Sequence, residues 1–169
     1  ADGVAAGVLR STVDLRLFGR ETRPVHKLLQ YATDPWIPRL SGNEEACVAF
    51  LLEIGLDLKT DDHWRSWSDL DRGERQRVVS ALVAHMLERG CGHREVDRLI
   101  GEVYTLVKEP VGSPTRDAKE FGTLINACGR YEAAEVAYRV CRGDRGEALA
   151  EAMRLLRGHR EHLVDSMEA

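Results

Sequence analysis

The sequence has no run of 18 consecutive apolar residues, so it predicts no membrane-spanning helix and no membrane partner. Its first residues, Ala1-Asp2-Gly3, carry neither a basic stretch nor an apolar one, and we expect no signal peptide there. An excess of positive charge is also missing, because 24 basic side chains stand against 28 acidic ones. This balance excludes a generally basic nucleic-acid-binding protein but allows local basic patches.

Several motifs of nucleotide, acyl-transfer and metal chemistry are absent as well. The chain has no Gly-x-Gly-x-x-Gly, no Gly-Lys-Ser/Thr and no Gly-x-Ser-x-Gly. Asp61-Asp62-His63 has the residue types of a metal site, but three adjacent residues cannot surround two ions, which favours a solvated loop. Cys91-Gly92-His93 is at most half of a zinc site.

The four cysteines form no Cys-x-x-Cys pair, and their spacing matches no zinc or disulfide framework. Three of them lie in apolar helical surroundings. Reduced, buried cysteine is therefore the favoured interpretation, and it is typical of a cytoplasmic protein.

Apolar periodicity predicts a mainly helical chain with one or two short strands. Residues 12–18 alternate apolar and polar side chains, which predicts a half-buried strand. Patterns of Ser/Asp-x-x-Glu predict helix starts at Ser41 and Asp71. A short helix is expected near 93–101, and the following residues, 102–107, fit either a short strand or a helix end.

The C-terminal part follows a clear break at Gly112-Ser113-Pro114-Thr115. Gly129 is expected to end one helix in the left-handed conformation. Asp144-x-x-Glu147 is expected to begin a last, long and charged helix of the kind that often bridges to another element. Because a lone strand leaves its backbone groups unpaired, the chain is expected either to be a piece of a larger protein or to pair its strand with another chain, as in a strand-mediated dimer.

Four polar residues are candidates for phosphate binding. Arg20 and Arg23 follow the predicted strand, although ion pairs with Glu21, Asp14 or Asp34 remain an alternative for them. Arg130 leaves the predicted turn of Asn126-Ala127-Cys128-Gly129-Arg130, and its planar fork suits a bidentate phosphate contact. Asn126 lies one helical turn earlier and could face the same ligand. The alternative is a helix–helix corner in which Arg130 bonds to carbonyls.

A resemblance to a known family rests on ordered blocks of residues. They are Leu17-Phe-Gly-Arg-Glu-Thr-Arg-Pro24, Thr33-Asp-Pro-Trp-Ile-Pro38, Leu40-Ser-Gly42, Gly101-Glu-Val-Tyr104, and Asp117-Ala-Lys-Glu-Phe121 through Asn126-Ala-Cys-Gly-Arg130. In this order they resemble the archaeal RecJ-like branch of the DHH phosphoesterase family over nearly the whole chain. The Asn-Ala-Cys-Gly-Arg segment also resembles the Asn-Ala-Ala-Gly-Arg segment of bacterial RecJ exonucleases.

The resemblance implies a manganese- or magnesium-dependent nuclease that acts on single-stranded DNA or RNA. In the family, an α/β domain with motifs that include Asp-His-His supplies the metal ligands, and a long helix joins it to a second domain. Some archaeal members associate with the replication machinery. The resemblance further implies that Arg130 contacts the substrate phosphate and Asn126 supports that contact, with Arg20 and Arg23 as weaker candidates for the nucleic-acid backbone.

The chain departs from the family because it has no Asp-x-Asp, no Asp-His-His and no Gly-Gly-His-type motif. We therefore predict the middle portion of a larger α/β DHH-type protein, with no catalytic residue and no metal bound by this chain alone. Residues 1–112 are expected to hold the end of the catalytic-domain sheet and a helical subdomain. Residues 113–143 are expected to form a helical hairpin, and 144–169 a connecting helix toward a further domain.

Two other functions stay open. The chain could be a helical interaction module that docks a DNA replication or repair partner, which the acidic balance and the amphipathic helices predicted at 72–89 and 144–169 would suit. It could also belong to a small-molecule phosphoesterase, such as a cyclic-dinucleotide hydrolase, because the site chemistry is shared.

Overall fold

The fold is mainly α-helical, as the sequence predicts. A computed structural model describes the backbone of residues 2–168 and the side chains of residues 3–157. Over that range the elements are α1 (Asp2–Ala5), β1 (Leu9–Leu15), α2 (Val25–Gln30), α3 (Glu44–Glu53), a 3-10 turn (Trp67–Asp69), α4 (Arg72–Glu88), α5 (His93–Leu99), β2 (Ile100–Leu106), α6 (Ala118–Arg130), α7 (Ala134–Cys141) and α8 (Glu147–Glu168). None of the helices in the described part of the chain has the length and apolar character needed to cross a bilayer.

The chain divides into two compact units, Ala1–Ala118 and Lys119–Ala169. The first unit holds both strands and helices α1 to α5. The second holds α7, α8 and all of α6 except its first residue. The three segments predicted from the sequence, 1–112, 113–143 and 144–169, remain a prediction about the larger protein.

The two strands pair with each other, which corrects the expectation of a lone strand. β1 and β2 are antiparallel, with Leu9 opposite Leu106 and Leu15 opposite Ile100. Residues 102–106 of the uncertain segment are thus strand, and the pairing within one chain removes this reason for expecting either a piece of a larger protein or a strand-mediated dimer. The sequence pattern missed this because the two strands lie more than 80 residues apart, and pairing over that distance leaves no local signal.

The first strand also lies earlier than predicted, at Leu9–Leu15 instead of 12–18. Both Leu15 and Leu17 are buried, so the alternation of apolar residues continues past the true end of the strand. The Leu15 N–H turns to its neighbour's carboxylate, the Asp14 Oδ1 at 2.8 Å, and not to another strand. Burial of alternate apolar side chains therefore continues to Leu17, whereas the strand ends at Leu15.

The core of the first unit brings together apolar side chains from β1, α2, α3, α4 and α5. Leu28 and Leu29 of α2, Leu51 of α3 and Leu82 of α4 are completely buried. Helices α2, α3 and α5 are short, with 6, 10 and 7 residues, so their buried apolar faces supply most of their stability. Trp67, in the 3-10 turn, is also buried and closes this core from the loop side.

The helix starts confirm one predicted capping box and correct the other. Asp71 and Glu74 cap α4 reciprocally, with each side chain accepting from the other residue's backbone N–H at 2.8 Å. The cap of α3, in contrast, is Asn43, whose Oδ1 accepts from Ala46 N–H at 3.0 Å. Ser41 lies outside the helix and its hydroxyl accepts from the backbone N–H of Ile37. Asn and Ser are equally good helix caps, so the local geometry of the chain, and not the residue type, decides that Asn43 caps α3.

The polar loop before α4 is anchored by Arg65. Its guanidinium donates to both carboxylate oxygens of Glu74, at 2.8 and 2.6 Å, and to the carbonyls of Asp57 and Asp69. The hydrogen bonds from Arg65 lower the pKa of Glu74. Since both side chains are less than one-fifth exposed, this pair is better protected from solvent than an ordinary surface ion pair.

We expect Glu74→Gln to lower the free energy of unfolding by about 1.5 kcal/mol at pH 7, because it removes the charge but keeps the backbone cap. The folded-state pKa of Glu74 is depressed, so its contribution is present above the unfolded pKa and is lost as the pH falls through the folded value. Urea unfolding of both proteins at pH 7 and at pH 3 checks this. A difference that stays constant between the two pH values would contradict it.

All four cysteines are free, in agreement with the sequence analysis. Cys47 and Cys128 are buried, Cys91 is half-buried, and Cys141 is exposed. Burial raises the pKa of the Cys47 thiol to about 11. Its Sγ donates to the carbonyl oxygen of Leu40 at 3.2 Å, so this cysteine is an unreactive part of the core.

Candidate phosphate-binding site

Helix α6 of the second unit carries the two residues that the sequence analysis places first. The helix is amphipathic: Leu124, Ala127 and Cys128 are buried. Leu124 and Cys128 pack in one apolar cluster with Val140 of α7 and with Ala148 and Ala152 of α8. This packing fixes which side of α6 turns away from the core.

Asn126 and Arg130 lie on the exposed side of α6. Four residues separate them, so they are neighbours on one face, one helical turn apart. Gly122 and Gly129 are also exposed, and a Cβ at either position would meet no atom within 4 Å. The face therefore combines an amide, a guanidinium and two positions with no side chain, which lets an extended anionic chain approach the helix closely.

The end of α6 differs from the prediction at Gly129. The helix continues through Gly129 and ends at Arg130, and the left-handed residue is Glu132, with φ of 56°. The Ala133 N–H donates to the Cys128 carbonyl at 2.9 Å and the Glu132 N–H donates to the Gly129 carbonyl at 3.2 Å. This is a Schellman ending with Glu in the place that Gly usually takes. Arg130 consequently lies in the last helical turn and not in the loop.

Arg20 is buried in a group of charged side chains in the first unit. Its Nη2 lies 3.2 Å from Asp14 Oδ2, and its Nη1 lies 3.4 Å from Asp117 Oδ2. The Trp67 indole N–H also donates to Asp14, at 3.1 and 3.2 Å. Arg20 is 6% exposed, so the structure favours the ion-pair alternative over a contact to nucleic acid.

Glu21 is buried next to Arg20 and contacts the same distant segment of the chain. Its Oε2 accepts from the Gly112 N–H at 2.9 Å, and its Oε1 lies 3.6 Å from Arg116 Nε. Through these ion pairs and this hydrogen bond, the buried residues Arg20 and Glu21 hold the segment after β1 against residues 112–117.

Arg23 is half-buried and packs on aromatic rings. Its guanidinium carbon lies 4.8 Å from the centre of the Phe18 ring and 4.9 Å from that of Tyr31. Gly19 has φ of 102°, and a Cβ there would collide with the Arg23 side chain. The structure does not bring Arg20 or Arg23 together with Arg130 within one unit.

A metal centre of the kind that the resemblance implies needs several carboxylate and imidazole ligands around one point. Among residues 3–157, no group of three or more His, Cys, Asp or Glu side chains could hold an ion. Asp61 and Asp62 are exposed, and His63 contacts Thr60 and Asp69 instead. The described residues therefore do not fit this metal centre, and no hydrolytic step is assigned to them.

Comparison with protein families finds a match within the first unit. Residues 17–100 match the family model of the DHH-CID domain. This match supports membership of the DHH family. The DHH-CID match contains Arg20, Arg23, α2 to α5 and all of the first unit's buried core cluster except Leu15, and it ends before α6. No curated protein matches the chain.

Sequence reasoning missed several residues that hold together the first unit. Asp14 was considered only as one possible partner of Arg20, and Asp117 was not considered, because the chain brings them together from more than 100 residues apart. The pair of Arg65 and Glu74, nine residues apart, was also missed, although the capping pattern did locate Glu74. A buried tryptophan N–H requires an acceptor, and that was the one available signal for Asp14.

Proposed function

We propose that this chain is the middle portion of a RecJ-like DHH phosphodiesterase that cleaves single-stranded DNA or RNA. In this proposal the chain is non-catalytic: it supplies a scaffold, an interdomain helix and a phosphate-binding arginine. Manganese or magnesium would be held by other parts of the full-length protein, where it would activate water for attack on a phosphodiester.

The observation that carries the proposal is the placement of Asn126 and Arg130 on the exposed face of α6. A guanidinium donates two parallel hydrogen bonds to phosphate oxygens, and an amide one turn away can donate a third. Two glycines on the same face leave room for the sugar–phosphate backbone. Such a contact positions the strand and is independent of base sequence.

The first unit supports the scaffold part of the proposal. Arg20 and Asp117 are buried and Asp14 is half-buried, and ion pairs join Arg20 to both carboxylates, which suits this group to fix the course of the chain. Within this unit the loop that ends in Trp67 is held to α4 by Arg65.

Helix α8 supports the interdomain part. It has 22 residues, about 33 Å at 1.5 Å per residue, and its first turns are anchored by the buried Ala148 and Ala152. A helix of that length spans the diameter of a small domain. We propose that it connects the second unit to a further domain of the full-length protein.

A nuclease assay on this chain and on the full-length gene product tests the proposal. With labelled single-stranded DNA or RNA and manganese, we expect cleavage by the full-length protein and none by this chain. Robust cleavage by the isolated chain would refute the non-catalytic role. A full-length product that cleaves neither nucleic acids nor cyclic dinucleotides would favour a helical module that docks a replication or repair partner.

A further inference from the structure

We propose that the exposed face of α6 binds two phosphates of one nucleic-acid strand, with Lys119 at one end of the face and Arg130 at the other. This inference rests on the function proposed above, because it extends the contact of Asn126 and Arg130 along the same helix. Lys119 lies outside the DHH-CID match, and no sequence motif assigns it a role.

The helical repeat places Lys119 on the same face as Asn126 and Arg130. With 3.6 residues per turn, Lys119 lies about 20° and Arg130 about 40° from Asn126 around the helix axis. All three side chains are exposed. Between Lys119 and Asn126 this face carries only Gly122 and the small Thr123, whose hydroxyl donates to the Lys119 carbonyl at 2.9 Å. The face therefore presents an amide and two cations without a bulky side chain between Lys119 and Asn126.

The length of this face requires more than one phosphate. Lys119 and Arg130 are 11 positions apart, which is about 16 Å along the helix axis at 1.5 Å per residue. Helical side chains all lean toward the N-terminus, so the two charged groups stay about as far apart as their backbone atoms. One phosphate cannot contact both groups. Two phosphates of the same strand can do so when the strand runs along the helix.

The carboxylates nearest to Lys119 in the sequence do not lie on this face. Asp117 is 5% exposed, and its Oδ2 lies 3.4 Å from Arg20 Nη1 in the first unit. Glu120 is 2% exposed. Among residues 117–121, the exposed charge is therefore the positive charge of Lys119.

At the other end of α6 the nearest carboxylate in the sequence is that of Glu132, which is exposed. A guanidinium has five N–H donors and an ammonium group has three, so each cation can bind a phosphate beside the contacts that it already makes within the protein. Farther along the chain, Arg139 Nη2 lies 2.7 Å from Asp144 Oδ2 and 3.4 Å from Glu147 Oε2. The charge of these two carboxylates is thus matched by an arginine outside the α6 face.

Binding of single-stranded DNA to this chain, followed by fluorescence anisotropy, tests the proposal. The probe is a labelled oligothymidylate of about ten nucleotides, within the usual size of a single-strand site. We expect Lys119→Ala to weaken binding about tenfold at low salt, as Arg130→Ala does. The salt dependence should lose about one counterion in each variant and about two in the double variant. Lys108→Ala removes an exposed lysine of the first unit and is the matched control, expected to leave binding unchanged.

Gly122→Glu tests the face between the two cations without removing either one. A Cβ at Gly122 meets no atom within 4 Å, and glutamate is a better helix former than glycine, so we expect this variant to fold. The new carboxylate lies one helical turn from both Lys119 and Asn126. Gly122→Gln adds the same bulk without the charge, and we expect Gly122→Glu to bind about tenfold more weakly than Gly122→Gln. Equal loss in the two variants would contradict a contact between this face and phosphate.

The outcomes separate this inference from the function on which it rests. Weaker binding in Arg130→Ala with unchanged binding in Lys119→Ala would overturn the second phosphate contact and leave the role of Arg130 intact. Binding that neither substitution changes would overturn both contacts, and the nuclease assay on the full-length protein would still test the rest of the proposed function. Oligouridylate and an abasic sugar–phosphate strand carry the same phosphates and are expected to bind as tightly as oligothymidylate. A loss of more than about tenfold with the abasic strand would assign the binding to the bases and overturn the inference.

Discussion

Replacing Asp14 with alanine is expected to lower the free energy of unfolding by about 3–5 kcal/mol, the usual cost of removing one member of a buried charged pair. Asp14 accepts hydrogen bonds from Arg20 and from the Trp67 indole. Without it, the buried guanidinium of Arg20 keeps only Asp117 nearby, and the indole N–H loses its acceptor. Leaving one charge buried without its partner lowers the free energy of unfolding by more than the ion pair had raised it.

Chemical denaturation of the purified variant, followed by tryptophan fluorescence, measures this effect. Asp97→Ala is the matched control, because Asp97 is an exposed carboxylate on α5, and we expect a change within about 0.5 kcal/mol. Asp14→Asn keeps an acceptor for the indole and is expected to fall between the two. A loss below 1 kcal/mol for Asp14→Ala would mean that Asp117 alone satisfies Arg20.

Arg130→Ala is expected to slow phosphodiester cleavage by the full-length protein by about 2–4 kcal/mol of transition-state stabilisation, or roughly 30-fold to 900-fold. The reason is the loss of a bidentate donor to a phosphate whose charge changes during the reaction. The salt dependence of single-strand binding should also become shallower by about one counterion. Initial rates and binding curves at several salt concentrations measure both effects.

Arg130→Lys and Arg154→Ala separate the possible reasons for such a loss. Lysine keeps the charge but not the fork, so we expect it to retain binding better than rate. Arg154 is an exposed arginine on α8 of the same unit, and its removal should leave the rate unchanged. An unchanged rate in Arg130→Ala, with normal stability in all three variants, would assign Arg130 to the helix–helix corner instead.

The corner at Gly129 shows how far a local pattern can be trusted. Glycine after an apolar helical stretch predicts a helix stop, yet the helix continues to Arg130 and Glu132 takes the left-handed conformation. Helix ends depend on where the next helix must begin in order to bury Val140 against Leu124 and Cys128. This packing is a tertiary contact that the local pattern does not contain. The left-handed residue therefore lies a few positions later than predicted, while the helix itself was predicted correctly.

The two pairs of candidate residues differ in how much their spacing in the sequence can predict. Asn126 and Arg130 are four residues apart in one helix, so the sequence alone determines that they share a face. Whether Arg20 faced a ligand or the core depended on Asp117, which lies 97 positions away. No spacing rule carries that information.

The sequence by itself determined the mainly helical class, the α4 capping box, the free cysteines and the common face of Asn126 and Arg130. Each of these depends on residues within about one or two turns of each other, where geometry follows from the backbone period. Only the tertiary structure decided that β1 pairs with β2 and that Arg20 is buried beside Asp117. Those features join segments separated by 50 to 100 residues, and the whole buried core selects them together.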